Sequence, residues 1–139
     1  MRMRVLTRTN KGKLLAIADR VTKLIEADKA TDTIPAAYPC DGERLVVIVA
    51  TAQKSMPEAF SRFVNSLKKS LAANIAFIID GTPENAAKIV EMARNNDANV
   101  IDNILYIEGG LPFKFMRKVT DEEYAKVDAW VKEIRSAMK

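Results

Sequence analysis

The chain has 139 residues and a net charge of +4, which fits one domain over residues 1–139 and is too small a positive excess to indicate nucleic-acid binding. It has no histidine and one cysteine, Cys40. This composition excludes Ser-His-Asp and Cys-His catalysis, metal sites that need imidazole, and an intrachain disulfide, so we expect no metal. A lone cysteine is typical of a reducing, cytoplasmic setting.

Nothing in the sequence indicates a membrane-spanning protein. The longest apolar run, Leu45–Ala50, is far shorter than the roughly 20 residues that a transmembrane helix needs. The N-terminal residues never become a long apolar stretch, so we expect no signal peptide.

The first half of the chain predicts two strands, a helix and an edge strand. Met3, Val5 and Leu6 indicate a short strand, followed by a polar turn. Helical spacing follows at Leu14, Ile17, Ala18, Val21, Leu24 and Ile25. Residues 31–34 predict a brief edge strand, and the continuous apolar run 45–50 predicts a strand covered on both faces.

The second half predicts three helices and two further strands. Ser55 and Glu58 have the spacing of a capping box, before a helix with Phe60, Phe63, Val64, Leu67 and Leu71 on one face. Residues 75–79 predict a strand, and Thr82 with Pro83 begins a helix whose inner face is Ala86, Ile89, Val90 and Ala93. Residues 100–107 predict one interrupted strand. Thr120 and Glu123 form a second capping box, before a helix with Val127, Val131, Ile134 and Met138 inward.

This alternation predicts an α/β fold, a three-layer α-β-α sandwich around a five-stranded parallel sheet in the order 2-1-3-4-5. Ligands bind such sheets beyond the carboxyl ends of the strands, where the strand order reverses. The turns concerned are residues 7–13, 50–56 and 80–83. They place Thr51, Ala52 and Gly81 among the candidate binding residues.

The turn after the first strand has the composition of an anion site. Its candidate binding residues are Thr7, Arg8, Thr9, Asn10, Lys11, Gly12 and Lys13. They supply hydroxyls, positive charge and two residue types that tolerate positive φ, and the turn opens a helix whose free N–H groups favour an anion. A phosphate monoester would suit this turn. The alternative is a polar surface loop with a few lysines.

This turn resembles the phosphate loop of the flavodoxin family, Ser/Thr-x-Thr-Gly-x-Thr, and residues 7–16 align with it without gaps. Met56-Pro57 and the following Phe63 are similar to the segment after the third strand in that family. Gly109-Gly110 is similar to short members such as the flavodoxin-type protoporphyrinogen oxidases. The resemblance implies FMN as cofactor, electron transfer or another flavin-dependent redox reaction, and possible exchange with a redox partner protein.

The chain departs from the family pattern at several positions. Asn10 replaces a glycine, and Gly12 replaces the threonine whose hydroxyl binds the FMN phosphate. The turns after the third and fourth strands lack an aromatic residue that would stack on a flavin, and Arg4 lies inside the first strand. These departures favour a second hypothesis, a flavodoxin-like binding or regulatory module that has lost the flavin.

Three further features have competing interpretations. Residues 111–118 mix apolar and basic side chains, which is compatible with a partner or membrane-surface contact, but the alternation of Phe113 and Phe115 around Lys114 favours packing into the core. Cys40 has no base available to activate it, so we expect packing and not catalysis. Asp80 ends a strand, but no paired carboxylates follow the first strand, which disfavours a phosphoacceptor site.

Overall fold

A parallel sheet with helices on both faces forms the part of the chain that the computed structural model describes, residues 3–8, 12–27, 30–34, 40–52, 56–107 and 119–138. The strands are β1 (Met3–Thr7), β2 (Asp32–Thr33), β3 (Glu43–Thr51), β4 (Ala72–Asp80), β5 (Asn99–Val100) and β6 (Leu105–Ile107). The helices are α1 (Gly12–Leu24), α2 (Glu58–Ser66), α3 (Pro83–Arg94) and α4 (Asp121–Ala137).

The strand order confirms the predicted topology. The sheet runs β2-β1-β3-β4-β5, and β6 pairs with β4 further along the same edge. The predicted interrupted strand is therefore two short strands, β5 and β6. The indole N–H of the buried Trp130 in α4 donates a hydrogen bond of 2.8 Å to the carbonyl of Asn103, which ties the interruption to the helix layer.

The central strands are buried on both faces, as their continuous apolar sequence predicts. Along β3, Val46, Ile48 and Ala50 pack with α2 and α3, whereas Leu45, Val47 and Val49 pack with α1 and α4. Strand β4 alternates in the same way, because successive side chains of a strand point to opposite faces. The result is the three-layer sandwich that the sequence predicts, with one core on each side of the sheet.

Helices α3 and α4 begin where the sequence predicts. The Thr82 side chain caps α3 with Pro83 in its first turn, and Ala86, Ile89, Val90 and Ala93 are the buried face. At α4, Thr120 and Glu123 form both hydrogen bonds of the capping box. Trp130 joins the predicted inner face of that helix, and Val127, Val131 and Ile134 are buried.

The predicted start of α2 is wrong. The helix begins at Glu58, after Pro57, and no side chain caps it. Pro57 has an extended conformation, with ψ at 144°, and a residue that precedes a proline is kept out of the helical region, so Met56 cannot form a first turn after Ser55. Ser55 itself lies outside the described residues.

Strand β4 begins earlier than predicted. It starts at Ala72 instead of residue 75, and the predicted helix before it ends at Ser66. The start of this strand is not visible in the hydrophobicity pattern, because the polar Asn74 is fully buried there. Its side chain donates to the Arg44 carbonyl at 2.9 Å and accepts a hydrogen bond from Asn99 at 2.8 Å, so its polar atoms are satisfied inside the sheet.

Arg4 and Cys40 both contribute to the folded structure, Arg4 through an ion pair and Cys40 through packing in the core. Arg4 is 1% exposed, and its guanidinium donates to the Asp32 carboxylate of β2 at 3.0 Å. This ion pair satisfies the condition under which a charge inside a strand is tolerated. Cys40 is buried and packs in the cluster of α2 and α3, together with Ile34, in the manner expected of a small apolar residue.

We expect the substitution Val47→Asp to lower the free energy of unfolding by more than about 3 kcal/mol, because it buries a charge in a fully enclosed position. The exposed Ala87 of α3 is the matched control, and Ala87→Asp should cost less than about 1 kcal/mol. Urea unfolding measures both. A cost below about 1 kcal/mol for Val47→Asp would contradict burial of β3 on both faces.

Candidate functional site

The carboxyl ends of β1, β3 and β4 lie side by side at one edge of the sheet. In the strand register Thr7 is opposite Val49, and Thr51 is opposite Asp80. The chain leaves β1 toward β2 on one side and enters β3 on the other, so the strand order reverses here. This is the position at which parallel sheets of this type bind ligands.

The turns after β3 and β4 are in direct contact. The Thr51 hydroxyl donates to the Asp80 carboxylate at 3.2 Å, and the Ala52 N–H donates to the Asp80 carbonyl at 2.8 Å. Gly81 has φ +148°, and a Cβ at this position would lie 2.9 Å from the Ala52 carbonyl oxygen. Only glycine allows the two turns to approach this closely.

The first part of the predicted anion turn is fixed by backbone hydrogen bonds. Thr7 is buried and its carbonyl accepts from Ile34 at 3.1 Å, while the Arg8 N–H donates to Val49 at 3.3 Å. Thr9, Asn10 and Lys11 lie outside the described residues. The candidate residues Thr51, Ala52 and Gly81 lie together at the two neighbouring turns, as described above.

Gly12 explains one departure from the flavodoxin pattern. It begins α1 with φ +81°, a conformation that a β-branched threonine adopts only with strain. A Cβ at Gly12 would meet no atom within 4 Å, so the constraint is on the backbone angle and not on space. A threonine hydroxyl at this position therefore requires a different path for the loop.

Lys13 forms an ion pair with Glu123 that could not be predicted from the sequence. It lies in the first turn of α1, is 6% exposed, and its ammonium pairs with the carboxylate of Glu123 in the first turn of α4. Both helix starts lie at the carboxyl edge of the sheet. The positive charge at Lys13 is thus largely balanced before any anion arrives.

The pKa of Glu123 reflects this pairing. Burial acts to raise it, but hydrogen bonds from the Lys13 ammonium and from Thr120 outweigh burial, and the pKa lies below its usual 4.5.

A second ion pair joins the helices α1 and α4. Arg20 donates to both carboxylate oxygens of Asp128, at 3.0 and 2.8 Å. Hydrogen bonding to Arg20 lowers the pKa of Asp128.

Sequence reasoning missed two residues at this edge. Glu123 was identified only as a helix cap, because no local pattern indicates a partner so far along the chain. The second residue is Tyr106, which pairs with Ile79, the residue before Asp80. Among the large apolar residues of the described ranges, Tyr106 is the exposed one. It supplies an aromatic group on β6, although the turns after β3 and β4 have none.

Other predictions have a more limited outcome. Residues 53–55 and 111–118, with the Phe113 and Phe115 packing hypothesis, lie outside the described residues. Within the described ranges, no group of three or more acidic or cysteine side chains has the arrangement of a metal site. In the same ranges, no helix is both long enough and apolar enough to cross a membrane.

Comparison with solved structures confirms the flavodoxin-like fold. A flavodoxin from the domain Archaea superimposes with a TM-score of 0.65 and 14% sequence identity, over 99% of this chain and 98% of that chain. No family model matches the sequence, and no curated protein matches it either. At this identity the likeness establishes the fold.

We expect Glu123→Gln to lower stability by about 1–3 kcal/mol at pH 7, because it removes the charge partner of the buried Lys13. Glutamine retains the capping-box hydrogen bonds, so the substitution isolates the charge. Because folding lowers the pKa of Glu123, its stabilisation is complete above pH 4.5 and is lost as the pH falls through the folded-state value. The difference between the two proteins should therefore shrink toward pH 3.

Urea unfolding at several pH values measures this difference. The exposed Glu122 of the same helix turn is the matched control, and Glu122→Gln should change stability by less than about 0.5 kcal/mol. A deficit for Glu123→Gln that stays constant from pH 7 to pH 3 would show that the ion pair is not its cause.

Proposed function

We propose that the protein binds FMN at the carboxyl edge of the sheet and uses it for electron transfer or another flavin-dependent redox reaction. The observation that carries this proposal is that β1, β3 and β4 end side by side where the strand order reverses, with the turns after β3 and β4 in contact, within a flavodoxin-like fold. The likeness to an archaeal flavodoxin supports the ligand class and is the reason to test FMN first.

The described ends of the first turn support a site for the phosphate end of FMN. Gly12 at positive φ turns the chain into α1, whose first N–H groups have no helical carbonyl partner and favour an anion. Thr7 and Thr9 match the family pattern, and Arg8, whose backbone N–H donates to the Val49 carbonyl, adds a positively charged residue to the turn. We propose that Thr9, Asn10, Lys11 and Lys13 complete this end of the site.

The turns after β3 and β4 would hold the flavin ring. Ala52 presents only a methyl group and Gly81 has no side chain, so both turns permit close approach of a flat ligand to their backbone groups. The hydrogen bond from Thr51 holds the Asp80 carboxylate at this edge. Bound FMN would supply the redox chemistry, while the chain positions it and limits its access to water.

A flavin-free binding or regulatory module is the second candidate. The pairing of Lys13 with Glu123 favours it, because this pairing reduces the positive charge that a phosphate dianion meets. The absence of aromatic residues from positions 51–55 and 80–83 favours it too, because stacking contributes to flavin binding.

The decisive experiment compares FMN with riboflavin, which lacks the phosphate, by quenching of flavin fluorescence. We expect FMN to bind at least about ten-fold more tightly, because a hydrogen bond to a charged group contributes roughly 1.5–3 kcal/mol. Thr9→Ala should weaken FMN by about ten- to a hundred-fold and leave riboflavin unchanged.

Ser66→Ala is the control, because this exposed hydroxyl lies at the far end of α2 and should affect neither ligand. A purified protein that is colourless and binds neither flavin at millimolar concentration would contradict the proposal and favour the flavin-free module. Equal affinities for FMN and riboflavin would contradict the phosphate site alone. A redox partner protein is proposed only if FMN binds.

A further inference from the structure

The first turns of α1 and α4 are joined by an ion pair at the carboxyl edge of the sheet. The ammonium of Lys13, the second residue of α1, pairs with the carboxylate of Glu123, the third residue of α4. The side chains are 6% and 20% exposed, so salt and water screen this pair less than they screen a surface pair. The negative charge of Glu123 is therefore held beside the start of α1.

The start of α1 has no negative charge of its own. Its first turn contains no acidic residue, whereas the first turn of α4 contains Asp121, Glu122 and Glu123. The first N–H groups of a helix have no helical carbonyl partner, and together with the helix dipole they attract a negative group. Glu123 thus supplies, from a different helix, a carboxylate at the positive end of α1.

Both oxygens of the Glu123 carboxylate have partners. Oε1 accepts hydrogen bonds from the N–H and the hydroxyl of Thr120, each at 3.2 Å, and Oε2 contacts the Lys13 ammonium. The bonds from Thr120 fix the carboxylate to its own helix, so it stays beside α1 when an anion approaches. The ammonium has three N–H donors, and a second acceptor can therefore share it with Glu123.

An anion that binds at the start of α1 experiences both charges of this pair. Lys13 attracts the anion, and Glu123 repels it. The carboxylate lies no further from the first turn of α1 than one lysine side chain and its ion-pair contact. At that range the repulsion is strong enough to affect binding, because the pair is mostly shielded from solvent.

We propose that Glu123 sets the specificity of the phosphate end of the proposed flavin site, on which this inference rests. By holding Lys13 and repelling dianions, it lowers the affinity of the start of α1 for phosphate. A ligand that offers a phosphate alone then binds weakly, and a ligand that also contacts the turns after β3 and β4 is selected. Glu123 therefore stabilises the fold and weakens phosphate binding. A residue with a structural role alone would, when replaced, lower stability and binding together.

The test is a titration of the folded full-length chain with inorganic phosphate, monitored by amide chemical shifts at residues 12–15. We expect Glu123→Gln to tighten phosphate binding by at least about five-fold. It should raise the ratio of FMN affinity to riboflavin affinity by a similar factor, because riboflavin has no phosphate. Adding Lys13→Met, which keeps the apolar part of the side chain, should reverse the gain.

Glu122→Gln is the matched control, because it removes the same charge from an exposed position of the same helix turn. It should leave the phosphate affinity within two-fold of the original. Thermal unfolding verifies that each variant is folded. A measurement on the unsubstituted chain needs no variant to fold: phosphate should shift the side-chain carboxyl ¹³C resonance of Glu123 more than that of Glu122.

The outcomes separate this inference from FMN binding itself. Tighter phosphate binding by Glu123→Gln, with no binding of either flavin, would support the role of Glu123 and contradict FMN as the ligand. FMN binding with an unchanged FMN-to-riboflavin ratio would overturn the role of Glu123 and leave the proposed function intact. Equal effects of Glu122→Gln and Glu123→Gln, or equal carboxyl shifts in the unsubstituted chain, would also overturn it.

Discussion

The pairing of β3 with β4 is the constraint on which the rest of the structure depends. The two strands are paired from Glu43 and Ala72 through to Thr51 and Asp80, and their central residues are buried on both faces. A parallel strand in this position requires a helix layer above and below it, which dictates where α1 to α4 lie. The register of this pairing places the ends of the two strands side by side, with Thr51 opposite Asp80, and therefore brings Ala52 against Gly81.

Features that depend on local periodicity could be predicted from the sequence. The continuous apolar runs identified β3 and the centre of β4, and the spacing of Ala86, Ile89, Val90 and Ala93 identified the buried face of α3. The topology followed because alternating strands and helices permit few arrangements. The location of the candidate site followed in turn, since the site lies at the reversal of the strand order.

Features that depend on distant partners could not be predicted. Nothing near Lys13 indicates Glu123, and nothing near Arg4 indicates Asp32 as its partner, because the fold alone brings these pairs together. Asn74 concealed the start of β4, since its polar side chain is satisfied by groups on other strands. The positive φ of Gly12 is a property of the backbone path, and a glycine in the sequence permits it without requiring it.

The two borders of the sheet have a consequence for the behaviour of the chain in concentrated solution. Strand β2 has two residues, and the opposite border is divided into β5 with two residues and β6 with three. A long, regular border strand would offer a row of unused backbone groups to the strands of other molecules, which is how sheets add to one another and aggregate. Here the border strands on both sides are too short to pair with a strand of another molecule over a useful length. On the side of β5 and β6 the border is also interrupted. The long apolar strands β3 and β4 lie inside the sheet, where their backbone groups are already paired with neighbouring strands of the same chain.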